Sequence, residues 1–339
     1  MSLLLKPYSY LFFSTLILGI FISMSSSNWF MIWMGLELNL YSFIPLILLS
    51  KMNQEKEASI KYFLTQALAS AFLLLSSLIF PFSLLSNFLL LSALFMKLGM
   101  APFHFWFPSV MNSISWSMCF ILSTLQKIAP MTLLIFNTSL STYSLSVAVT
   151  SGLVGGMGGI LQTQLRAIFA YSSIGHMAWI LSCASLSSSM SIFYLFTYIF
   201  MMSSIMIPLM SIFSKSSNFL LKFSQANISK LIFTLSLLSL GGMPPLFGFF
   251  PKMFVVLLLV KNQMLFLCFI LLLCSTMNLY FYLKMLMNFF FSSQTYPWSL
   301  SSNTGMKLSI AFLFSSIFST VLILPMLFPT SLYALTLFY

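Results

Sequence analysis

Four ionisable side chains stand inside long apolar runs, and their chemistry sets the first question. Glu37 lies in Trp29–Asn39 (WFMIWMGLELN), Lys97 opens Met96–Trp106 (MKLGMAPFHFW), Lys127 lies in Thr124–Pro130 (TLQKIAP), and Lys252 closes Phe249–Lys252 (FFPK). At the centre of a membrane helix each costs ~2.5–3.5 kcal/mol. Together they forfeit about 10 kcal/mol, comparable to the whole stability of a domain. Such groups persist where they line a polar cavity or an ion path. Snorkelling to the nearer surface is the plain alternative for a lysine near a helix end, and it does not serve Lys127, deep in its run. The set is three amines and one carboxylate. A protonated amine ligates no sodium ion, whereas a row of amines can hold and pass protons where desolvation brings its charged and neutral forms close in energy. A carboxylate ~4 Å from a lysine attracts it by about 4 kcal/mol at an effective dielectric of ~20. Opening a Glu37–Lys97 pair would therefore bias proton release along the row, although the sequence does not say that the two touch. His104, just past Lys97, and His176, in Tyr171–His176 (YSSIGH), are secondary relay candidates, because imidazole changes charge near neutrality. A lone histidine is more often an ordinary hydrogen-bonded packing residue.

The elements that position these groups follow from composition. The chain has 339 residues, 60% hydrophobic and only 5% charged, which no soluble domain of this size shows. Its apolar runs are long and lack strand alternation, so the fold class is an all-α polytopic membrane protein rather than a barrel. Runs of about 20 residues, the length a ~30 Å hydrocarbon core requires, predict eleven transmembrane helices near 6–23, 28–49, 58–80, 84–107, 114–136, 144–160, 167–186, 190–213, 229–260, 262–287 and 307–328. The first is expected to be a retained helix, since 23–28 lacks a small-x-small cleavage pattern. The four cysteines, Cys119, Cys183, Cys268 and Cys274, form no CxxC and lie in apolar runs; they are expected to be buried thiols, with no metal or iron–sulfur site.

A net charge of +11 from fourteen basic and three acidic residues would suggest nucleic acid in a soluble protein. Here it reads as topology, and no nucleic-acid partner is expected. With eleven spans, Lys6, Lys51, Lys56, Arg166, Lys215, Lys222 and Lys307 fall in loops on the side of the N-terminus, with Lys61, Lys230 and Lys284 near helix ends there; the opposite loops hold only Lys261. That asymmetry places the N-terminus on the positive side and the C-terminus opposite. Glu57 and Lys61, four apart at the start of the third span, read as local helix support worth roughly 0.3–0.5 kcal/mol.

Two spans break in the same way. The fourth does so at Leu98–Phe103 (LGMAPF) and the ninth at Leu240–Phe247 (LGGMPPLF), where Gly and Pro end a helix. The breaks are five spans apart, an odd number, so a repeated five-helix unit would be inverted in its second copy. Paired broken helices in inverted repeats belong to ion-coupled transporter folds, with the path at mid-membrane. The expected layout is one transmembrane domain: a first repeat over 1–140, a second over 141–290, and a C-terminal loop and helix over 291–339.

Met96–Trp106, Glu57–Ser70 (EASIKYFLTQALAS), Gln162–His176 (QTQLRAIFAYSSIGH) and Ser239–Lys252 (SLGGMPPLFGFFPK) closely resemble the NADH dehydrogenase subunit 2 family of animals, mitochondrially encoded membrane-arm subunits of respiratory complex I. The resemblance runs from about Trp29 to Tyr282, and the last fifty or so residues match only in hydropathy. It implies an antiporter-like fold in a proton-pumping arm. Glu37 resembles the family's paired glutamate, Lys97 the lysine of the broken helix, Lys127 the central lysine and Lys252 the exit-side lysine. It also implies a multi-pass protein of the mitochondrial inner membrane with its N-terminus in the matrix and its C-terminus towards the intermembrane space. Other complex I membrane-arm subunits, including neighbouring antiporter-like ones, and phospholipids would be its partners. NADH, FMN, iron–sulfur clusters and ubiquinone would bind other subunits, with no cofactor in this chain. A free-standing cation/proton antiporter of related fold and a mainly structural scaffold are the alternative readings.

Overall fold

A computed structural model of the chain describes residues 7–50, 52–79, 83–137, 142–213, 227–244 and 246–292. The described residues are helical and contain no strand. In chain order they form α1 (Pro7–Ser25), α2 (Trp29–Ile47, extended by a 3-10 turn Leu48–Ser50), α3 (Asn53–Ile79), α4 (Ser83–Leu98), α5 (Trp106–Ser113), α6 (Trp116–Ser123) and α7 (Leu125–Asn137). There follow α8 (Thr142–Ile160), α9 (Leu165–Ala184), α10 (Ser188–Phe213), α11 (Asn227–Gly241), α12 (Phe249–Lys261) and α13 (Leu265–Ser292). Eight helical spans among them, α6 and α7 together forming one, are long and apolar enough to cross a membrane. Helix occupies the first ten predicted segments. The expected span at 307–328 lies outside the described residues, as do Lys6, Lys51, Lys215, Lys222, Lys307 and Pro245.

The two breaks close identically. α4 ends with the Gly99 N–H on the Met96 carbonyl (3.1 Å) and the Met100 N–H on the Phe95 carbonyl (3.0 Å). α11 ends with Gly242 on Ser239 (3.0 Å) and Met243 on Leu238 (3.2 Å). This paired reversal needs a left-handed residue just past the helix, supplied by Gly99 at φ +68° and Gly242 at φ +80°. Membrane depth leaves no water for the freed carbonyls, so side chains take up the remainder. The Trp106 indole N–H donates to Met96 (3.1 Å) and the Gln66 amide to the Lys97 carbonyl (3.4 Å).

The broken fourth span differs from its expected bounds. Its second half, α5, runs to Ser113 rather than stopping near 107, and the expected continuous helix over 114–136 is interrupted at Thr124. The interruption has a local cause. Pro130 has no N–H for the Gln126 carbonyl and crowds the preceding turn, and the Lys127 N–H turns back to Thr124 (3.1 Å) in a tighter i→i−3 bond.

Packing places α9 at the centre. Its span is 94% buried, against 28% for α1, so α9 is enclosed by protein while α1 shows most of its surface outward. Small residues let neighbouring backbones approach. A Cβ on Gly35 of α2 would meet the Gly19 carbonyl of α1 at 2.8 Å, and one on Gly155 of α8 would meet the Gly175 nitrogen of α9 at 2.7 Å. Such close approach is how membrane helices associate without a hydrophobic driving force. Helix ends also meet as the alternation of spans requires. Glu55 at the start of α3 and Arg166 at the start of α9 converge on the Ile114–Ser115 turn between α5 and α6, with the Arg166 guanidinium donating to the Ile114 carbonyl. Lys284 near the end of α13 donates to Ile160 at the end of α8 (3.5 Å).

Candidate functional site

Glu37, Lys97, Lys127 and Lys252 are 8%, 8%, 4% and 6% exposed, which excludes snorkelling to a surface for all four. Lys97, in the last turn of α4, and Lys127, in the first turn of α7, line one cavity of ≈ 20 Å³, room for a water molecule. Its polar wall is Asn39 of α2, Tyr62 and Gln66 of α3, and Gln126 of α7. The wall is knitted together: the Tyr62 hydroxyl donates to Gln126 Oε1 (3.2 Å), and Gln126 Nε2 donates to Asn39 Oδ1 (2.8 Å). Glu37 lies within electrostatic reach of both Lys97 and Tyr62. It is not in contact with Lys97: the ion pair among the described residues is Lys61–Glu57 at 2.6 Å, exposed and i,i+4 as expected.

Lys127 is held differently. Its ammonium has no hydrogen-bond partner and sits 4.4 Å from the Phe107 ring centre and 5.6 Å from that of Tyr198. Two aromatic faces offset about 0.5–2 kcal/mol each for a desolvated cation, less than full hydration supplies. The Tyr198 hydroxyl donates to the Ser123 carbonyl (3.0 Å) beside the Thr124 interruption, so one ring both flanks the amine and caps the broken turn.

Lys252, in the first turn of α12, donates to the Gly241 carbonyl at the end of α11 (2.8 Å). The lysine thus bridges its own break, its charge set at the negative end of a helix dipole. His176 lies within electrostatic reach of both Lys252 and Lys127, with Nδ1 3.2 Å from the Tyr194 hydroxyl and its ring 5.5 Å from Tyr198. The two histidines therefore part company. His104 Nδ1 is buried with no partner, its ring stacks on Phe105 at 4.1 Å, and it is not in the cavity wall.

The region described as "NADH:quinone oxidoreductase/Mrp antiporter, TM" matches residues 26–83 and 78–278. The NADH-ubiquinone oxidoreductase chain 2 of Lumbricus terrestris is 41% identical over 92% of this chain and 95% of its own length. The chain belongs to the NADH-ubiquinone oxidoreductase chain 2 family. The relative of that family in Anopheles gambiae is 39% identical over 92% of this chain and 96% of its own. A chain of the respiratory complex I of Thermus thermophilus shares the fold with a TM-score of 0.77 at 24% identity, over 93% of this chain and 79% of that one. One from the archaeal membrane-bound sulfane sulfur reductase has a TM-score of 0.83 at 15% identity, over 95% and 74%. The antiporter-like helical fold expected from the sequence is thus the fold observed.

Sequence reasoning within this family frame passed over the neutral groups around the charges: Asn39, Tyr62, Gln66, Gln126, Phe107 and Tyr198. A signal for part of them exists. Tyr62 and Gln66 are four apart and so share a face of α3, and a polar face on an apolar helix is one to explain. Phe107 and Tyr198 carry no such signal, since both come to Lys127 across tertiary contacts.

Proposed function

We propose that this chain is a membrane-arm subunit of NADH:ubiquinone oxidoreductase, respiratory complex I, and takes part in proton translocation through Glu37, Lys97, Lys127 and Lys252. The chain itself performs no redox chemistry; NADH, FMN, iron–sulfur clusters and ubiquinone bind other subunits. The observation that carries this reading is that two buried amines share a water-sized cavity and a third lies beyond them past His176. A proton held on Lys97 passes through the cavity to neutral Lys127, then by way of His176 to Lys252, with Glu37 as the carboxylate within electrostatic reach of Lys97. His104 is a weaker relay, standing apart from this row.

The same reading includes eleven spans, with residues 1–140 and 141–290 as inverted repeats and 291–339 as a C-terminal loop and helix. The identical closures of the two breaks support the repeat. The N-terminus faces the mitochondrial matrix and the C-terminus the intermembrane space, with neighbouring antiporter-like subunits and phospholipids around the apolar exterior.

The test is Lys127→Met in the assembled complex. The expected outcome is near-normal assembly with a marked loss of proton pumping, measured in sealed vesicles during NADH oxidation. Normal pumping by the assembled variant would leave the chain a scaffold.

A further inference from the structure

Ala58 apart, the buried face of α3 is polar from its solvent end to the cavity. Glu55, Ser59, Tyr62 and Gln66 recur at i, i+4, i+7 and i+11, which is one face of a helix, and they are 5%, 5%, 3% and 5% exposed. A membrane helix ordinarily turns apolar residues to its neighbours; here the hydroxyls and amide face inward while Leu64, Leu68 and Leu75 face outward. Tyr62 and Gln66 end the row in the wall shared by Lys97 and Lys127. Glu55 begins it, ~10 Å away along the axis, in the first turn beside exposed Gln54, Lys56 and Glu57. One Glu55 oxygen accepts the Ser115 N–H, whereas Oε2 is buried with no partner. An unsatisfied buried carboxylate oxygen at the mouth of a polar face calls for a water or a proton.

We propose that Glu55 is the residue through which this chain takes up protons, and that α3 delivers them along Ser59, Tyr62 and Gln66 to the cavity. The proposal rests on the translocation reading above. The Glu55 carboxylate binds a proton from solvent. It then passes one inward by exchange, in which each intervening water or hydroxyl accepts a proton on one side and releases its own on the other. A neutral cavity amine becomes ammonium, and Glu55 returns to carboxylate. The groups along the way suit this. The Ser59 hydroxyl donates to the Lys56 carbonyl (2.7 Å), leaving its lone pairs open, and Tyr62 donates to Gln126. Gln66 carries no proton itself and orders water at the cavity wall. The charged group facing Glu55 from another helix is Arg166 of α9, and the titratable one is the Cys119 thiol of α6, which is neutral. On its own helix Glu57 and Lys61 are exposed and neutralise each other, and Lys56 reaches out to Asn53.

The plain alternative is that Glu55 only caps α6 and balances Arg166. Glu55→Gln keeps an amide oxygen that accepts from Ser115 but binds no proton; because it also removes the charge beside Arg166, the pH dependence of pumping and Tyr62→Phe, which leaves that charge pair untouched, separate the two. In the assembled complex in sealed vesicles, Glu55→Gln is expected to lose proton pumping, the loss deepening as pH rises and protons become scarce, while Glu55→Asp restores most of it. Tyr62→Phe, which keeps the ring against Phe43 at 5.1 Å, is expected to lose pumping too, and it decides the matter if Glu55→Gln fails to assemble. Wild-type pumping at every pH by assembled Glu55→Gln overturns the proposal, as does wild-type pumping by Tyr62→Phe. Lys127→Met measured alongside keeps the readings apart. If it stops pumping while these variants pump normally, translocation stands and this route falls.

Discussion

Each lysine solves the problem of a buried amine in its own way, and the differences bear on which can move a proton. Lys252 has a strong carbonyl acceptor at 2.8 Å, whereas Lys97 and Lys127 share one polar-walled cavity, where Lys127 has two ring faces beside it and no hydrogen-bond partner. In the proposed pathway Lys127, which lies between the other two lysines, is the transient carrier. Lys252 in turn depends on Gly242, whose left-handed φ costs a residue with a Cβ roughly 1–2 kcal/mol. A Cβ there would also stand 2.7 Å from Lys252 Nζ. Gly242→Ala is therefore expected to impair pumping and lower the thermal stability of the complex, whereas Gly241→Ala, whose nearest neighbour would be the Tyr282 ring at 3.5 Å, is expected to do neither. Equal pumping and melting of the two variants would show that the break tolerates a side chain at either position.

At the scale of elements, the breaks were legible and the interruption was not. Gly and Pro announce the ends of α4 and α11 because only they suit the backbone there. Pro130 lies in an otherwise regular run, and proline in a membrane helix is often accommodated without a break; here the Ser123 carbonyl, released as the Lys127 N–H turns to Thr124, is taken up by Tyr198 from another helix. Helix pairing is equally physical. A Cβ on Gly35 of α2 would meet the backbone of α1 at 2.7 Å (Ser23) and 2.8 Å (Gly19), while one on Gly152 of α8 would meet side chains alone, the nearest being the Cys274 sulfur at 3.3 Å. Overpacking a backbone contact costs about 1–3 kcal/mol. Gly35→Ala is expected to lower the thermal midpoint of the assembled complex and Gly152→Ala to leave it nearly unchanged; matching midpoints would mean that the α1–α2 contact yields at no cost.

For the molecule as a whole, the charge asymmetry and the tertiary contacts agree. Glu55, Ile114–Ser115 and Arg166 come from connections that the alternation of spans puts on one side, and the structure packs them together. Lys61 and Lys284 are exposed at that end by the same alternation, and exposed Lys261 is expected opposite. A membrane-impermeant amine reagent applied to sealed vesicles of one orientation is expected to modify Lys61 and Lys284 together, and Lys261 only from the other side. Modification of all three from one side would contradict the alternation.

Composition and the length of the apolar runs alone determined that this is a helical membrane chain and which ionisable groups are stranded within those runs, because transfer free energy acts residue by residue and needs no partner. Which stranded groups meet is another matter. That Lys97 and Lys127 share a cavity, that Glu37 stands near Lys97 without touching it, that His176 joins the row and His104 does not, and that Glu55 is buried rather than solvated were decided only by the tertiary structure. Those relations depend on the rotation and separation of helices far apart in sequence, which side-chain packing sets and local hydropathy does not encode.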